Sequence, residues 1–417
     1  MRDKTHLVII GNSGAAISAV KSIRRADPQC RITLISKESH NAYSPVLTSY
    51  LISGKVTRAQ MALVDEEFYL RFKVQRRYNT RVISLDSSEK KILLEDNTSL
   101  SYDKVLIATG AYPNSLDQPL PAGVRVFTLR TIEDAERIRA EMPNWKKVLF
   151  AGAGLVSLQI AEALKGYVKG MIFIVGSEQI LSQNLDRESS AMIQRQIEAQ
   201  GGTFLLHRNI LQVEGSEREI RLHLDGGETI SGNALIVGKG VRPNIPKLSP
   251  EGVIKVNRGI FVDERMQTSA EGVFAAGDVC EAADLISGEY GLIPNWPNAC
   301  FQGEIAGQNM AGGRGLYAGS LAMNVTSLFG LSFASIGHIK GSPDGGKQVV
   351  SYIDTSRPIY KKWVFQDDRM VGAIILGDTD EYTLVSEIVR RQKPMPDEKK
   401  ALAADPANAA RLLCGLL

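Results

Sequence analysis

Two short turns of small residues hold the chain's most reactive-looking backbone. The first interrupts "LVIIGNSGAAISAV" (7–20), where Gly11, Ser13, Gly14, Ala15 and Ala16 separate a strand-like run from a helix-like one. The second interrupts "VLFAGAGLVSLQIAEAL" (148–164), with Gly152, Gly154 and Ser157 at the matching places. A turn feeding a helix presents unpaired backbone N–H groups and the positive end of the helix dipole, which together attract a phosphate. In the spacing G-x-G-x-x-G, the first glycine makes the turn and the second lets a pyrophosphate approach the backbone. The third lets helix and strand pack closely. The second turn keeps the first two glycines. The first keeps only Gly11: Ala16 is a mild loss, whereas Ser13 puts a Cβ where phosphate oxygens come near. Gly14 beside it relieves the crowding, and the Ser13 hydroxyl is itself a donor. The chemistry expected of both turns is the cradling of a dinucleotide.

The surrounding segments suit that task. Leu7–Ile10 is a continuous apolar run, as in a parallel strand buried on both faces. "AAISAVKSIRRA" is helical in period and "RITLIS" (31–36) is the next strand, which completes a βαβ unit. Residues 146–176 repeat the strand–turn–helix–strand order, so two dinucleotides are expected rather than one. "KILLEDNTSLSYDKVLIATGA" (91–111) reads as a hairpin feeding a buried strand, and "HLDGGETISGNALIVGKGVRPN" (223–244) repeats that design. From about residue 320, "MNVTSLFGLSFASIGHI" and "YKKWVFQDDRMVGAIILGD" read as antiparallel strands. The last stretch, from Gln392, reads as a proline-punctuated linker and a short helix able to dock on a partner.

Further motifs follow in a fixed order. Ala108-Thr109-Gly110 ends "SYDKVLIATG", "GVRPN" spans 240–244, and Gly277-Asp278 ends "VFAAGD". With the two turns, this series resembles the flavoproteins with two dinucleotide-binding domains: pyridine nucleotide-disulfide oxidoreductases, rubredoxin reductases and the flavin part of nitrite reductases. The resemblance covers residues 5–390. It implies an α/β fold with two Rossmann-like domains of the glutathione-reductase type. A discontinuous FAD domain would take about 1–114 and 245–320, an NAD domain 115–244, and a C-terminal α+β interface domain 321–417.

The resemblance also implies roles. The turn Gly11–Ala16, with Ser13, Gly14 and Ala15, would hold the FAD pyrophosphate. Glu38 would take the adenine ribose, and Val82 would meet the adenine through its backbone. Ala108, Thr109 and Gly110 would complete the FAD site. Gly277 and Asp278, the latter at a helix start, would bind the ribitol or pyrophosphate region, and Pro297 in "NWPNACFQG" (295–303) would lie near the flavin ring. Gly152, Gly154, Leu155, Val156 and Gly240 would take NAD(H). Gln159 stands where relatives often carry a glutamate near the nicotinamide. Val175 ends the second strand of that unit where an acid is usual. No Arg or Lys follows immediately, and Glu178 would repel a 2′-phosphate, so NADH is expected over NADPH.

Disulfide reductases of this family carry a cysteine on the helix beginning near residue 43. Here "NAYSPVLTSYLISG" (41–54) has none. The four cysteines, Cys30, Cys280, Cys300 and Cys414, form no CxxC and no cluster or zinc spacing. The five scattered histidines have no motif partners. No metal site and no side-chain acid, base or nucleophile is expected; the reaction expected is hydride transfer between flavin and nicotinamide. Iron–sulfur clusters would then reside on a partner. Within the family, "AYSPVLTSYLISG", "GAGLVSLQIAEAL" and "MNVTSLFGLSFASIGHI" are most similar to the flavoprotein subunit of phenylglyoxylate dehydrogenase. That kinship implies thiamine-diphosphate and iron–sulfur partner subunits of a 2-oxoacid dehydrogenase complex.

Composition sets few limits beyond this. The chain has 417 residues, 44% hydrophobic and 23% charged, with a net charge of +3. That length suits two or three domains of roughly 100–200 residues each. The near-neutral balance does not point to nucleic acid. The first strand starts within a few residues of Met1, so no signal peptide is expected, and no apolar run is long enough to span a membrane. Cytoplasmic residence fits the unpaired cysteines. Two alternatives stay open: a stand-alone NADH oxidase, rubredoxin reductase or disulfide reductase, and a scaffold subunit depleted of cofactor, to which Ser13, Ser157 and Val175 would point.

Overall fold

The computed structural model describes residues 4–341, 346–354 and 356–414, without the side chain of Ala410. The last three residues of the tail expected to dock on a partner lie outside them. The chain forms two compact units. One comprises Met1–Pro45, Arg58–Tyr112 and Val241–Leu321; the other comprises Val46–Thr57, Pro113–Gly240 and Ala322–Leu417. Residues 46–57, placed with the first domain from sequence, therefore cluster with the second unit, as does the whole C-terminal segment.

The first unit is built on a parallel sheet in the order Val273–Ala275, Lys104–Ile107, His6–Ile10, Arg31–Ile35, Val74–Arg77. Leu7, Val8 and Ile9 are fully buried in the central strand, as two covered faces require. The chain leaves that strand toward one neighbour and reaches the other only later, so the strand order reverses beside it. Such a switch point opens a crevice at the carboxyl ends of the strands. The helix Gly14–Ala26 follows the turn and buries Ala15, Ala16, Ala19, Val20 and Ile23. Ala15 and Ala19 pack on Gly303 and Gly307 of the helix Trp296–Met310. A Cβ on Gly303 would lie 2.1 Å from the Ala15 carbonyl oxygen, and one on Gly307 2.5 Å from that of Ala19. Small residues four apart on both helices thus bring the backbones into contact and fix both helix starts.

In the second unit the parallel order is Gly202–Leu206, Gly170–Val175, Lys147–Ala151, Ala234–Val237, Val126–Phe127. Phe150, Phe173 and Phe204 stack in series across it. The C-terminal sheet is antiparallel, ordered Met323–Leu328, Leu331–Gly337, Arg369–Leu376, Ile359–Gln366, Gln348–Asp354. Asp367 and Asp368, both at positive φ, make the two-residue turn whose twist suits a hairpin. The strand Gln348–Asp354 was not anticipated. Its alternation is weak, and it forms a sheet edge with Val349 and Ile353 exposed. The closing segment, expected as a linker and one short helix, forms two helices, Pro396–Ala404 and Ala409–Leu413. Two buried lysines face opposite ways from the strand Ile359–Gln366. Lys362 and the Tyr360 hydroxyl both bond Asp186, the cap of helix Arg187–Glu198, while Lys361 lies 3.0 Å from buried Glu381. Neither partner was legible from "YKKWVFQDDRM" alone.

Candidate functional site

In the first unit, the fingerprint turn is shaped by its neighbours. Gly11 sits at φ +124°, and a Cβ there would lie 2.1 Å from the Ala108 carbonyl oxygen. Its N–H donates to Ile35 while Ala108 donates to Ile10, so the turn is wedged between two strand ends. Ser13 begins the helix in an extended conformation, and its hydroxyl makes no capping bond. The donor expected from sequence is therefore not spent on its own helix. Gly14 is buried, and a Cβ there would meet the Trp296 ring at 3.0 Å and Cys300 Sγ at 3.1 Å. Gly14 is thus needed for packing, a different task from relieving crowding at Ser13. Ala16 is fully buried and does the close packing assigned to the third position.

The other expected residues gather at the same strand ends. Glu38 follows the strand Arg31–Ile35, and its carboxylate accepts from the Tyr43 hydroxyl at 2.7 Å. Its carbonyl accepts from Asn79 and that of Ser36 from Thr80, which brings the approach to Val82 alongside. Thr109 donates through its hydroxyl to the Asn244 carbonyl, and the Asn244 N–H donates to Gly110. The ATG and GVRPN motifs, far apart in sequence, therefore form one clasp. Gly277 follows the strand Val273–Ala275, 3.6 Å from Ala15 and Ala299 as judged by an added Cβ. Asp278 corrects the sequence reading: it lies in a turn leading into the strand Cys280–Ala283, not at a helix start. The nearby helix begins at Asn295, whose side chain accepts from Asn298, with Pro297 in its first turn.

Several supporting residues were not singled out from sequence, although Gln302 lies within "NWPNACFQG". Asn12 bridges the turn to residue 40 through its amide, which donates to the His40 carbonyl at 3.0 Å. Tyr69 donates to Asn12 Oδ1 and accepts from Ala42; burial pushes its phenol up, so it stays a donor. Gln302, buried, accepts from the Gly277 N–H at 2.8 Å and donates to Ser320.

In the second unit, Gly152 sits at φ +99°, and a Cβ there would lie 2.6 Å from the Gly238 carbonyl oxygen. Gly154 is different. Its backbone is extended at φ −83° and no atom lies within 4 Å of an added Cβ. Neither conformation nor packing requires a glycine there, so the missing side chain leaves room for something from outside. The fully buried Ser157 in the third place is accommodated by Gly238, whose added Cβ would sit 2.0 Å from the Ser157 hydroxyl oxygen. The serine is thus matched by a glycine on the neighbouring strand's exit. Gly238→Ala should cost about 1–3 kcal/mol of stability. Most of that loss should vanish when Ser157→Gly is added, a double-mutant cycle in denaturant unfolding.

An open cleft of about 380 Å³ lies over this turn. Gly152, Gly154, Val175 and Gly240 line it, together with Arg208 and Lys239, which the sequence reading did not place there. Leu155 and Val156 form the first helical turn beside it. Glu178 is exposed, while its neighbours Ser177 and Gln179 line the cleft. Gln159 points elsewhere, into a small hollow with Tyr50 and Lys55, and donates to the Thr326 hydroxyl at 3.4 Å.

The cysteines are all free. Burial pushes the Cys300, Cys30 and Cys280 thiols up, away from the thiolate that nucleophilic chemistry needs. Among the described residues, no group of three His, Cys, Asp or Glu could hold a metal, and no helix is long and apolar enough to cross a membrane. What the geometry offers is two phosphate cradles at helix starts, one in each unit.

The family described as pyridine nucleotide-disulphide oxidoreductase matches residues 5–303, and the rubredoxin NAD+ reductase C-terminal domain matches 323–393. The chain is 31% identical to the NADH-dependent phenylglyoxylate dehydrogenase subunit epsilon of Aromatoleum evansii, over 98% of this chain and 97% of that one. It is 27% identical to the assimilatory nitrate reductase electron transfer subunit of Bacillus subtilis, over 96% of this chain but 51% of the relative. Two solved structures share the fold. Putidaredoxin reductase in its covalent complex with putidaredoxin superposes with a TM-score of 0.89 at 20% identity, covering 99% of this chain and 98% of that one. A ferredoxin reductase from Rhodopseudomonas palustris gives 0.87 at 22%, covering 98% and 100%.

Proposed function

We propose, since the chain belongs to the pyridine nucleotide-disulphide oxidoreductase family, that it is the NAD(H)-reacting flavoprotein subunit of a 2-oxoacid dehydrogenase complex of the phenylglyoxylate type. The chain is an oxidoreductase with FAD and NAD(H) as cofactors. Its finer role is to pass electrons between NAD(H) and iron–sulfur clusters of a partner, in a complex that also holds thiamine diphosphate, in the cytoplasm. The near full-length kinship with the epsilon subunit supports this assignment. When bound, the flavin supplies hydride exchange with nicotinamide and single-electron exchange with clusters.

The observation that carries the reading is Gly154, whose missing side chain serves no neighbour within the protein. In the second unit, Gly152, Gly154 and the start of helix Leu155–Leu164 would hold the NAD(H) pyrophosphate on free N–H groups, with Gly240 bordering the cleft. In the first unit, Gly11–Ala15 and Gly277-Asp278 would hold FAD at the start of helix Gly14–Ala26, with Thr109 and Gly110 fixed by Asn244. Glu38, oriented by Tyr43, would accept from the ribose hydroxyls. Val82 would border the adenine and Pro297 the flavin ring. Gln159, expected near the nicotinamide, lies instead in the hollow with Tyr50 and Lys55 and takes no part in this cleft. The segment 41–54 carries no cysteine, which disfavours disulfide-reductase chemistry, so the residues named here would bind and orient.

The assignment of the FAD cradle is tested by flavin content after purification. Ser13→Gly should retain flavin, because the glycine only enlarges the approach. Asp278→Ala should lose most of it, at least about tenfold in affinity for a charged group bonding a polar ligand. Full retention by Asp278→Ala contradicts the role given to that carboxylate.

A further inference from the structure

The adenosine end of the second cleft has an unusual composition. Val175 ends the strand where a carboxylate commonly accepts both ribose hydroxyls and repels a 2′-phosphate. Glu178, the acid that follows, is exposed and outside the cleft's lining. A basic residue arrives instead from the next strand. Arg208, just past Gly202–Leu206, donates its backbone N–H to the Val175 carbonyl at 3.0 Å and lines the cleft. The guanidinium is held by Glu228, whose two carboxylate oxygens lie 3.0 and 3.3 Å from Nε, and it also donates to the His207 carbonyl. A guanidinium has five N–H donors, so this anchoring leaves donors for a further anion. The pair is half exposed, so Glu228 tempers the charge without cancelling it. The cleft's other basic residue, Lys239, has its backbone nitrogen 3.9 Å from where a Cβ on Gly152 would stand.

We propose that Arg208 is the coenzyme-selecting residue of this chain, and that it admits a 2′-phosphorylated dinucleotide, NADPH, beside NADH. The proposal rests on the coenzyme site assigned above. It names a residue invisible to a reading of the positions after Val175, because the guanidinium comes from 33 residues further along the chain.

The test is calorimetric binding of 2′,5′-ADP and of ADP to the purified flavin-loaded chain, which needs no electron transfer. The quantity read is the ratio of the two dissociation constants. Arg208→Leu should shift that ratio against 2′,5′-ADP by about tenfold or more, the size of a charge-assisted contact. Arg208→Lys should recover part of the shift, since it keeps a point charge but loses the planar fork. Glu228→Gln should move the ratio toward 2′,5′-ADP. A ratio that stays within about twofold in both Arg208→Leu and Glu228→Gln, less than 0.5 kcal/mol by the same conversion, overturns the proposal alone. Absence of ADP binding to the unaltered chain overturns the coenzyme site and this proposal together.

Discussion

Gly154→Asp should leave the protein as stable as before, or slightly more so, while nearly abolishing its reaction with NADH. The two effects come from the same atom positions. Residue 154 is the N-cap of helix Leu155–Leu164, with an extended backbone that any residue adopts, and open space faces its missing Cβ. Aspartate is among the best N-cap residues, so the folded state gains or loses only a few tenths of a kcal/mol relative to glycine. The same carboxylate would stand where the pyrophosphate approaches the helix N-terminus. It would replace an attractive dipole end with a negative charge and fill the gap. An apparent NADH affinity lower by about 100-fold or more, roughly 3 kcal/mol, is expected from adding repulsion to a lost approach. Denaturant unfolding and NADH-driven flavin reduction read the two effects separately. Wild-type NADH reactivity in this variant would mean that the cleft over Gly154 is not where the coenzyme lies.

Gly11→Ala should do the opposite, damaging the fold first and the cofactor as a consequence. A methyl group at residue 11 would stand 2.1 Å from the Ala108 oxygen and 2.7 Å from its carbon, both backbone atoms that cannot swing aside. The residue would also keep φ near +124°, which an L side chain rarely adopts. Relief requires parting the ends of strands His6–Ile10 and Lys104–Ile107, joined there by the Ala108 to Ile10 hydrogen bond of 2.8 Å. The cost is about 3–5 kcal/mol, in the range where single substitutions unfold marginal domains. Flavin content should fall with it, because the turn and the ATG clasp share that gap. A Gly11→Ala protein with full flavin and unchanged unfolding would show that the turn is not wedged as described.

Much of this architecture could be read before any coordinates. The two apolar runs ending in small-residue turns specified both parallel sheets, since a strand buried on both faces has to be apolar throughout. The hairpins at 91–101 and 220–232 carried their own turn residues. What escaped was pairing between distant positions. Ser157 reads as damage to a fingerprint until Gly238 is seen to make room for it. Gly14 reads as relief for Ser13 until Trp296 and Cys300 are found against it. Arg208 belongs to no motif and reaches the Val175 strand end only because parallel neighbours align their exits. The family resemblance implies a helix start at Asp278, yet the backbone after it turns into the strand Cys280–Ala283. The partners of Lys361 and Lys362 could not be read from their strand, because each lysine finds one carboxylate on a different face.

Two functioning cradles in one chain are expected, and an anaerobic titration of the purified protein with NADH tests both at once. The oxidised-flavin absorbance band should be present on purification, or after addition of FAD, and should bleach as NADH is added, about one equivalent per flavin for a two-electron carrier. A chain that takes up no flavin even with FAD supplied, or whose flavin band is indifferent to NADH, would contradict the account and favour a cofactor-free scaffold in the first case and a different electron donor in the second.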